Sequence, residues 1–164
     1  DHVVTTIGID NGSTGSIGIL STDGAIFESV PTVDYLHYGK KGSISQRLDR
    51  ASLTKLVQHY LGDGRLVRAY VERPFTGKFV NAVIPAHRFF EATIIVLEDL
   101  RVGYEVVDSR EWQAQVLGPV RGSAFLKRAS KLRGIQLYPE LESWIKSHGD
   151  ADGLLIAHHY HRHP

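Results

Sequence analysis

From residue 3 to residue 33, apolar and β-branched side chains come in three short runs separated by turn residues. Val3–Asp10 ends on an acid, and Asn11, Gly12 and Gly15 supply a turn. Ser16–Ser21 is the second run; Thr22-Asp23-Gly24 marks another tight turn before Ala25–Val33. Three strands joined by short turns predict an antiparallel meander. Asp34–Asp49 is polar with glycines and lysines and is expected to be a loop. Helical spacing then sets in: with Asp49 or Ser52 as cap, Leu53, Leu56, Val57, Tyr60 and Leu61 share one face, and Gly62 and Gly64 stop the helix.

A buried-type strand, Leu66–Glu72, again ends in an acid. After the loop "RPFTGKFVN" a long helical pattern spans Val80 to Leu100, with Pro85 predicting a late start or a kink. Tyr104–Asp108 reads as a fifth strand. Helical stretches follow at Glu111–Leu117, Ser123–Tyr138, Glu140–Lys146 and Asp150–His161. The order predicts an α/β fold, a mixed sheet of five strands flanked by helices.

Composition changes this picture little. A chain of 164 residues with 42% hydrophobic and 23% charged positions is expected to form one globular domain, residues 1–164. No run approaches the roughly 18 apolar residues of a membrane helix, and no stretch reads as a signal peptide, so no membrane partner is expected. Zero cysteines exclude a disulfide framework and a thiolate metal site, and fit a reducing compartment. Net charge is only +1, yet Arg121, Lys127, Arg128, Lys131 and Arg133 follow one another with no acid between them. Such a stretch either follows phosphates or forms a solvated helix face.

The candidate chemistry lies in the acids. Asp10 and Glu72 close strands that are plausible neighbours at the sheet centre, which would bring both carboxylates to one edge. Asp150 and Asp152 open the last helix in "HGDADGLLIAHHYH". Singly, each has a plain structural reading: Asp10 as a turn residue, Glu72 as a partner of Arg73, Asp150 as a cap and Asp152 as a first-turn acid. Jointly they suit a hard cation such as Mg²⁺, which takes carboxylates together with water and phosphate oxygens. Trp112 is expected to be a packing residue. The C-terminal His158, His159, His161 and His163 could pair on a metal, with a frayed polar tail favoured.

"IGIDNGSTGSIGIL", "YVERPF", "YEVVDSREWQ" and "ADGLLIAHHYH", in this order, resemble the ribonuclease H-like nuclease superfamily, and within it the RuvC-type Holliday junction resolvases of the bacteriophage-like branch. The resemblance spans nearly the whole chain. It implies a ribonuclease H-like fold and a structure-selective endonuclease that resolves four-way DNA junctions by paired metal-dependent nicks. Asp10, Glu72 and Asp152 then take the family's metal-binding carboxylate positions. The fourth commonly lies three residues before the last acid, where this chain has Gly149; Asp150 is preferred for it and His148 is the second choice. Two Mg²⁺ ions are implied, with Mn²⁺ as a substitute. Phe75 matches an aromatic position used against bases, and Lys78, Arg88, Lys127, Arg128 and Lys131 are candidate phosphate contacts, Lys127 or Lys131 near the scissile one. A homodimer is implied, with Val83, Ile84, Phe90, Ile94 and Leu97 of the long helix at its interface. The location implied is intracellular, the cytoplasm of a bacterial host for a phage-encoded chain.

Three rivals remain on sequence grounds. An actin-like or sugar-kinase ATP-binding domain shares the opening motif but needs two such domains. A ribonuclease H-like nuclease acting on RNA–DNA hybrid or on other branched DNA would use the same acids. A non-catalytic junction-binding module is motivated by the irregular fourth ligand.

Overall fold

A computed structural model of the chain describes residues 4–36, 44–62 and 64–164. Its first half holds β1 (Val4–Asp10), β2 (Ser16–Ser21), β3 (Gly24–Ser29), β4 (Thr32–Leu36), β5 (Ile44–Leu48), α1 (Arg50–Gln58) and β6 (Leu66–Glu72). Then come α2 (Val80–Asp99), β7 (Gly103–Val107), α3 (Ser109–Leu117), α4 (Ser123–Leu137), a 3-10 turn at Pro139–Leu141, α5 (Glu142–Lys146) and α6 (Asp152–Arg162).

The expected five-stranded mixed sheet forms in the order β3-β2-β1-β6-β7. The meander β1-β2-β3 is antiparallel, whereas β1, β6 and β7 run parallel. Strand alternation sorts the core into two layers. Ile7, Ile9, Val67, Ala69 and Val71 meet Leu53 and Val57 of α1 and Phe89 and Leu97 of α2. On the opposite face Tyr70 joins Trp112 of α3, Ile145 of α5, and Leu154, Leu155 and Tyr160 of α6.

α6 lies against β1 and β2 at a distance that excludes side chains at the crossing. A Cβ on Gly8 would run into the carbonyl of Gly153, and one on Gly153 would run into the backbone of Ser16. The sequence reading placed Gly12 and Gly15 in a turn. They do form it, but Gly8 is a strand residue that admits a helix.

Three other expectations change. The third strand ends at Ser29 instead of Val33, because Pro31 has no N–H for a ladder. The chain restarts at Thr32, and β4 pairs with β5 from Thr32↔Leu48 to Leu36↔Ile44. Eight of the nine described residues of the expected loop therefore lie in paired strands; residues 37–43 of that loop lie outside the described residues. Its strands are mostly exposed and polar, with Gln46 donating to Asp34 at 3.3 Å, so hydropathy carried little sign of them. In addition, α2 with 20 residues and a mean hydropathy of 1.3 is long and apolar enough to cross a membrane, against the expectation that no run comes near. Its Phe89, Thr93, Ile94, Val96 and Leu97 are buried in the protein, while Val80, Ile84 and Ile95 are exposed. Pro85 sits inside α2, where the surrounding turns are exposed and an unpaired carbonyl meets solvent.

Candidate metal centre and nucleic-acid cleft

Ile9 pairs with Val71 in the parallel ladder. Asp10 and Glu72, the next residues, thus leave the sheet side by side at the carboxyl ends of their strands, where open α/β sheets bind ligands. By alternation they share the face of Gly8 and Tyr70, the one α6 covers. The turn after Asp10 is tied down by Thr93 of α2, whose hydroxyl donates to Asn11 Oδ1 at 2.8 Å.

The third and fourth acids arrive with α6. Asp10, Asp150 and Asp152 each offer an oxygen, and these atoms lie within 4.8 Å of one another. The start of α6 is fixed by serines from two other elements. Ser16 Oγ of β2 accepts from the Gly153 N–H at 2.9 Å. Ser130 Oγ of α4 accepts from the Ala151 N–H at 2.9 Å and donates to Asp152 Oδ1 at 2.6 Å. Asp150 Oδ1 accepts the Asp152 N–H at 3.0 Å, so the capping role is real for one of its oxygens and leaves the other available.

Crowded carboxyls in a buried site resist ionisation. Burial raises Asp10 well above the ordinary aspartate value, helped by the charges of Glu72, Asp152 and Asp150 and by a hydrogen bond with Glu72. Glu72 is raised, again first by burial. Burial and the neighbouring Asp150 push Asp152 up to about 7 against the pull of Ser130 and Lys127. No lysine or arginine forms a salt bridge to these four groups among the described residues. Arg73, the expected partner of Glu72, instead binds Asp108 at 2.9 Å. Four gathered carboxyl groups, Asp150 buried and the other three half-buried, with no salt-bridged cation are the donor set a hard divalent ion takes, so the residues fit Mg²⁺ or Mn²⁺.

His148 stands beside this cluster, outside it. Its Nε2 donates to the Thr14 carbonyl at 3.1 Å, which leaves Nδ1 to accept from the Ser29 hydroxyl at 3.3 Å. With its ring edge-on to Phe27 and both nitrogens engaged, it has no lone pair free for a metal. Of the two candidates for the fourth position, Asp150 is the one brought to the acids.

Above the acids lies a cleft of about 590 Å³, lined among others by Asp10, Asn11, Glu72, Phe75, Ser109 and Arg110. Phe75 is 57% exposed at its lip, and Lys78 is exposed farther along the same loop. The basic candidates separate. Lys127 acts on Asp152 and Arg128 is exposed on the same helix. Lys131 donates to the Lys146 carbonyl at 3.1 Å and so neutralises the end of α5. Arg88 donates to the Tyr35 hydroxyl at 2.6 Å and lies over its ring, joining α2 to the hairpin. It lines a second, larger cavity of about 1220 Å³ between those elements, away from the acids.

Two further expectations fail. Ile94 and Leu97, assigned to a dimer interface, are core residues, and Phe90 is partly buried against them; Val83 is half-buried and Ile84 exposed. The histidine tail is helical through Arg162 instead of frayed. Tyr138 hydrogen-bonds His158 and Thr6 hydrogen-bonds His161, both at 2.8 Å, and His159 is buried. Ser16, Asn11, Thr93 and Ser130 were missed as parts of the site. Only Asn11, next to the acid, carried a local signal.

A five-stranded mixed sheet in the order β3-β2-β1-β6-β7, flanked by helices, is the ribonuclease H-like architecture. The RuvC structure of Thermus thermophilus has it: 97% of this chain and 96% of that one superpose with a TM-score of 0.55 at 14% identity. T. thermophilus RuvC in complex with Holliday junction substrate matches over 99% of this chain and 96% of that one, at a TM-score of 0.55 and 16% identity. No protein-family model matches the sequence, and no curated protein matches it either. The likeness is one of fold.

Proposed function

We propose that this chain is a divalent-metal-dependent endonuclease that resolves four-way DNA junctions by paired nicks. The observation that carries the reading is the convergence of Asp10, Glu72, Asp150 and Asp152 in one uncompensated acid cluster on a RuvC fold. The solution of one such neighbour with a Holliday junction supports the choice of substrate.

Asp10, Glu72, Asp150 and Asp152 would together hold the ions. Mg²⁺ ions bound there would supply charge to activate water for in-line attack and to stabilise the departing 3′ oxygen. Ser130 keeps Asp152 turned toward Asp10, while Lys127 offers the scissile phosphate a counter-charge beside Asp152. Phe75 offers an unstacked base at the lip of the cleft a surface worth about 1–3 kcal/mol in stacking. Lys78 and Arg128 reach for flanking phosphates.

Two symmetric nicks call for two copies of the site, hence a homodimer. Its surface is the outward strip of α2, Val80, Ile84 and Ile95, which lines the larger cavity together with Ile44 and Tyr35 of the hairpin. The test compares a mobile four-way junction, linear duplex and RNA–DNA hybrid under Mg²⁺. Selective, symmetric nicking of the junction is expected. Preference for the hybrid would overturn the substrate while leaving the metal chemistry in place.

A further inference from the structure

Polar atoms buried without partners are rare, and each one invites a question about what it faces. Three buried side-chain atoms have no hydrogen-bond partner among the described residues: Asn11 Nδ2, Trp112 Nε1 and Arg133 Nε. The first two are donors next to the acids. Asn11 lines the acid cleft beside Asp10. Trp112 is fully buried on α3, which begins directly after β7, and β7 ends with Val107 paired to Glu72.

The setting of Trp112 makes its free N–H informative. Its ring is packed among Tyr70, Val107, Leu155 and Tyr160, so no water from the surface reaches it. The neighbouring Tyr160 hydroxyl finds an acceptor in Glu111 at 2.9 Å. The carboxyl group that the indole N–H of Trp112 faces is that of Glu72, although no acceptor atom lies in full hydrogen-bond geometry. Packing alone would be served as well by an apolar ring; an indole brings one directed donor and no acceptor.

We propose that Trp112 is a positioning residue of the metal centre, its buried indole N–H completing a hydrogen bond to the Glu72 carboxylate when a divalent cation occupies the acid cluster. The inference rests on the metal reading above. Glu72 leaves the sheet beside Asp10, and the unpartnered indole N–H faces its carboxyl group. A carboxylate has two oxygens, so one can take the indole N–H while the other faces the metal, and that bond would fix the orientation of the group. Such outer partners typically contribute about 10–100-fold in metal affinity.

The test is Mn²⁺ calorimetry on the parent protein, Trp112→Phe and Ile145→Val, the last a buried residue of the same apolar layer whose side chain has no polar atom. Trp112→Phe is expected to bind Mn²⁺ about 10–100-fold more weakly, and Ile145→Val to bind as the parent does. Equal affinity in the parent and Trp112→Phe, or an equal loss in Ile145→Val, would overturn the role of Trp112 and leave the metal centre standing. Absence of Mn²⁺ binding by the parent would overturn both. The second measurement leaves Trp112 intact: in a Trp144→Phe background it is the sole tryptophan, and its emission is expected to change along the Mg²⁺ binding isotherm. Emission unchanged at saturating Mg²⁺ in a protein that binds the ion would also sink the inference.

Discussion

On one face of the central sheet, Ile7, Ile9 and Val71 meet α1 and α2 through branched aliphatic side chains that hold the helices a full side-chain layer away. On the other, Gly8 and Gly153 remove that layer, and α6 rests on the backbone of β1 and β2. Both faces exclude water, but only the second carries chemistry. A helix separated by interdigitated side chains can shift slightly as they repack, whereas a helix in backbone contact is fixed by hard repulsion. The acids stand on the side with no slack, where the position of Asp152 relative to Asp10 follows from the height of α6 above the sheet.

The largest effect should come from the chemistry itself. Asp10→Asn is expected to lower junction cleavage by about 10³-fold or more, about 4 kcal/mol of barrier, while thermal melting of the metal-free protein stays level or rises because a crowded acid is gone. Unimpaired cleavage by this variant would dissolve the contrast between the faces. Next in size is a matched pair of core substitutions followed by denaturant unfolding. Gly153→Ala drives a methyl into the Ser16 backbone and should cost about 1–3 kcal/mol, with cleavage falling alongside as Asp152 moves. Ile9→Val on the opposite face should cost about 0.5–1.5 kcal/mol and leave cleavage near the parent rate. Equal loss of cleavage in both would mean that the two faces are coupled equally to the site.

Ser130→Ala removes the donor to Asp152 and the acceptor of the Ala151 N–H. Isothermal titration should find metal binding weakened about 10-fold, with a stability loss of about 1–3 kcal/mol from the amide left unpaired.

The smallest effect is on pH. Asp152 titrates near 7 in the folded protein and near 3.8 when unfolded, so between those values the native state holds the extra proton. Stability is therefore full below about pH 4 and declines as pH rises through 7. Melting temperature in chelator should fall across that window. Saturating Mg²⁺ should reverse the trend by binding the ionised carboxylates, and Asp152→Asn should flatten it. A melting temperature that rises with pH in chelator would mean that Asp152 is stabilised as an anion.

The uneven legibility of these regions in the sequence has physical causes. Strands β1, β2 and β6 announce themselves because a central strand is apolar on both faces, and Asp10 and Glu72 stand out as the charges that end such runs. The hairpin β4-β5 escaped because a two-stranded exposed ribbon is held by its ladder and leaves only weak periodicity in its side chains. Pro31 marked its start without saying that pairing resumes beyond. Ile94 and Leu97 looked like surplus apolar surface because the sequence shows the width of an apolar stripe but not how much of it one sheet consumes. Ser130 left no trace at all: in a basic helix it is one more polar residue, and only the tertiary fold puts it between Ala151 and Asp152. His148 illustrates the reverse, a ligand-type residue at a suitable distance along the chain whose nitrogens are spent elsewhere.

The exposed pair of Arg73 with Asp108, at 2.9 Å, adds little to stability, as surface ion pairs generally do. Its importance is one of competition. Arg73 adjoins Glu72 in sequence and is the guanidinium with the shortest tether to the acids, so left unclaimed it would be a resident counter-ion, occupying by virtue of its tether the place a diffusing cation must reach. By engaging Arg73, Asp108 keeps the cluster hungry for charge. Access of the proposed metal to these carboxylates is thus a matter of which acid the protein's own arginine prefers.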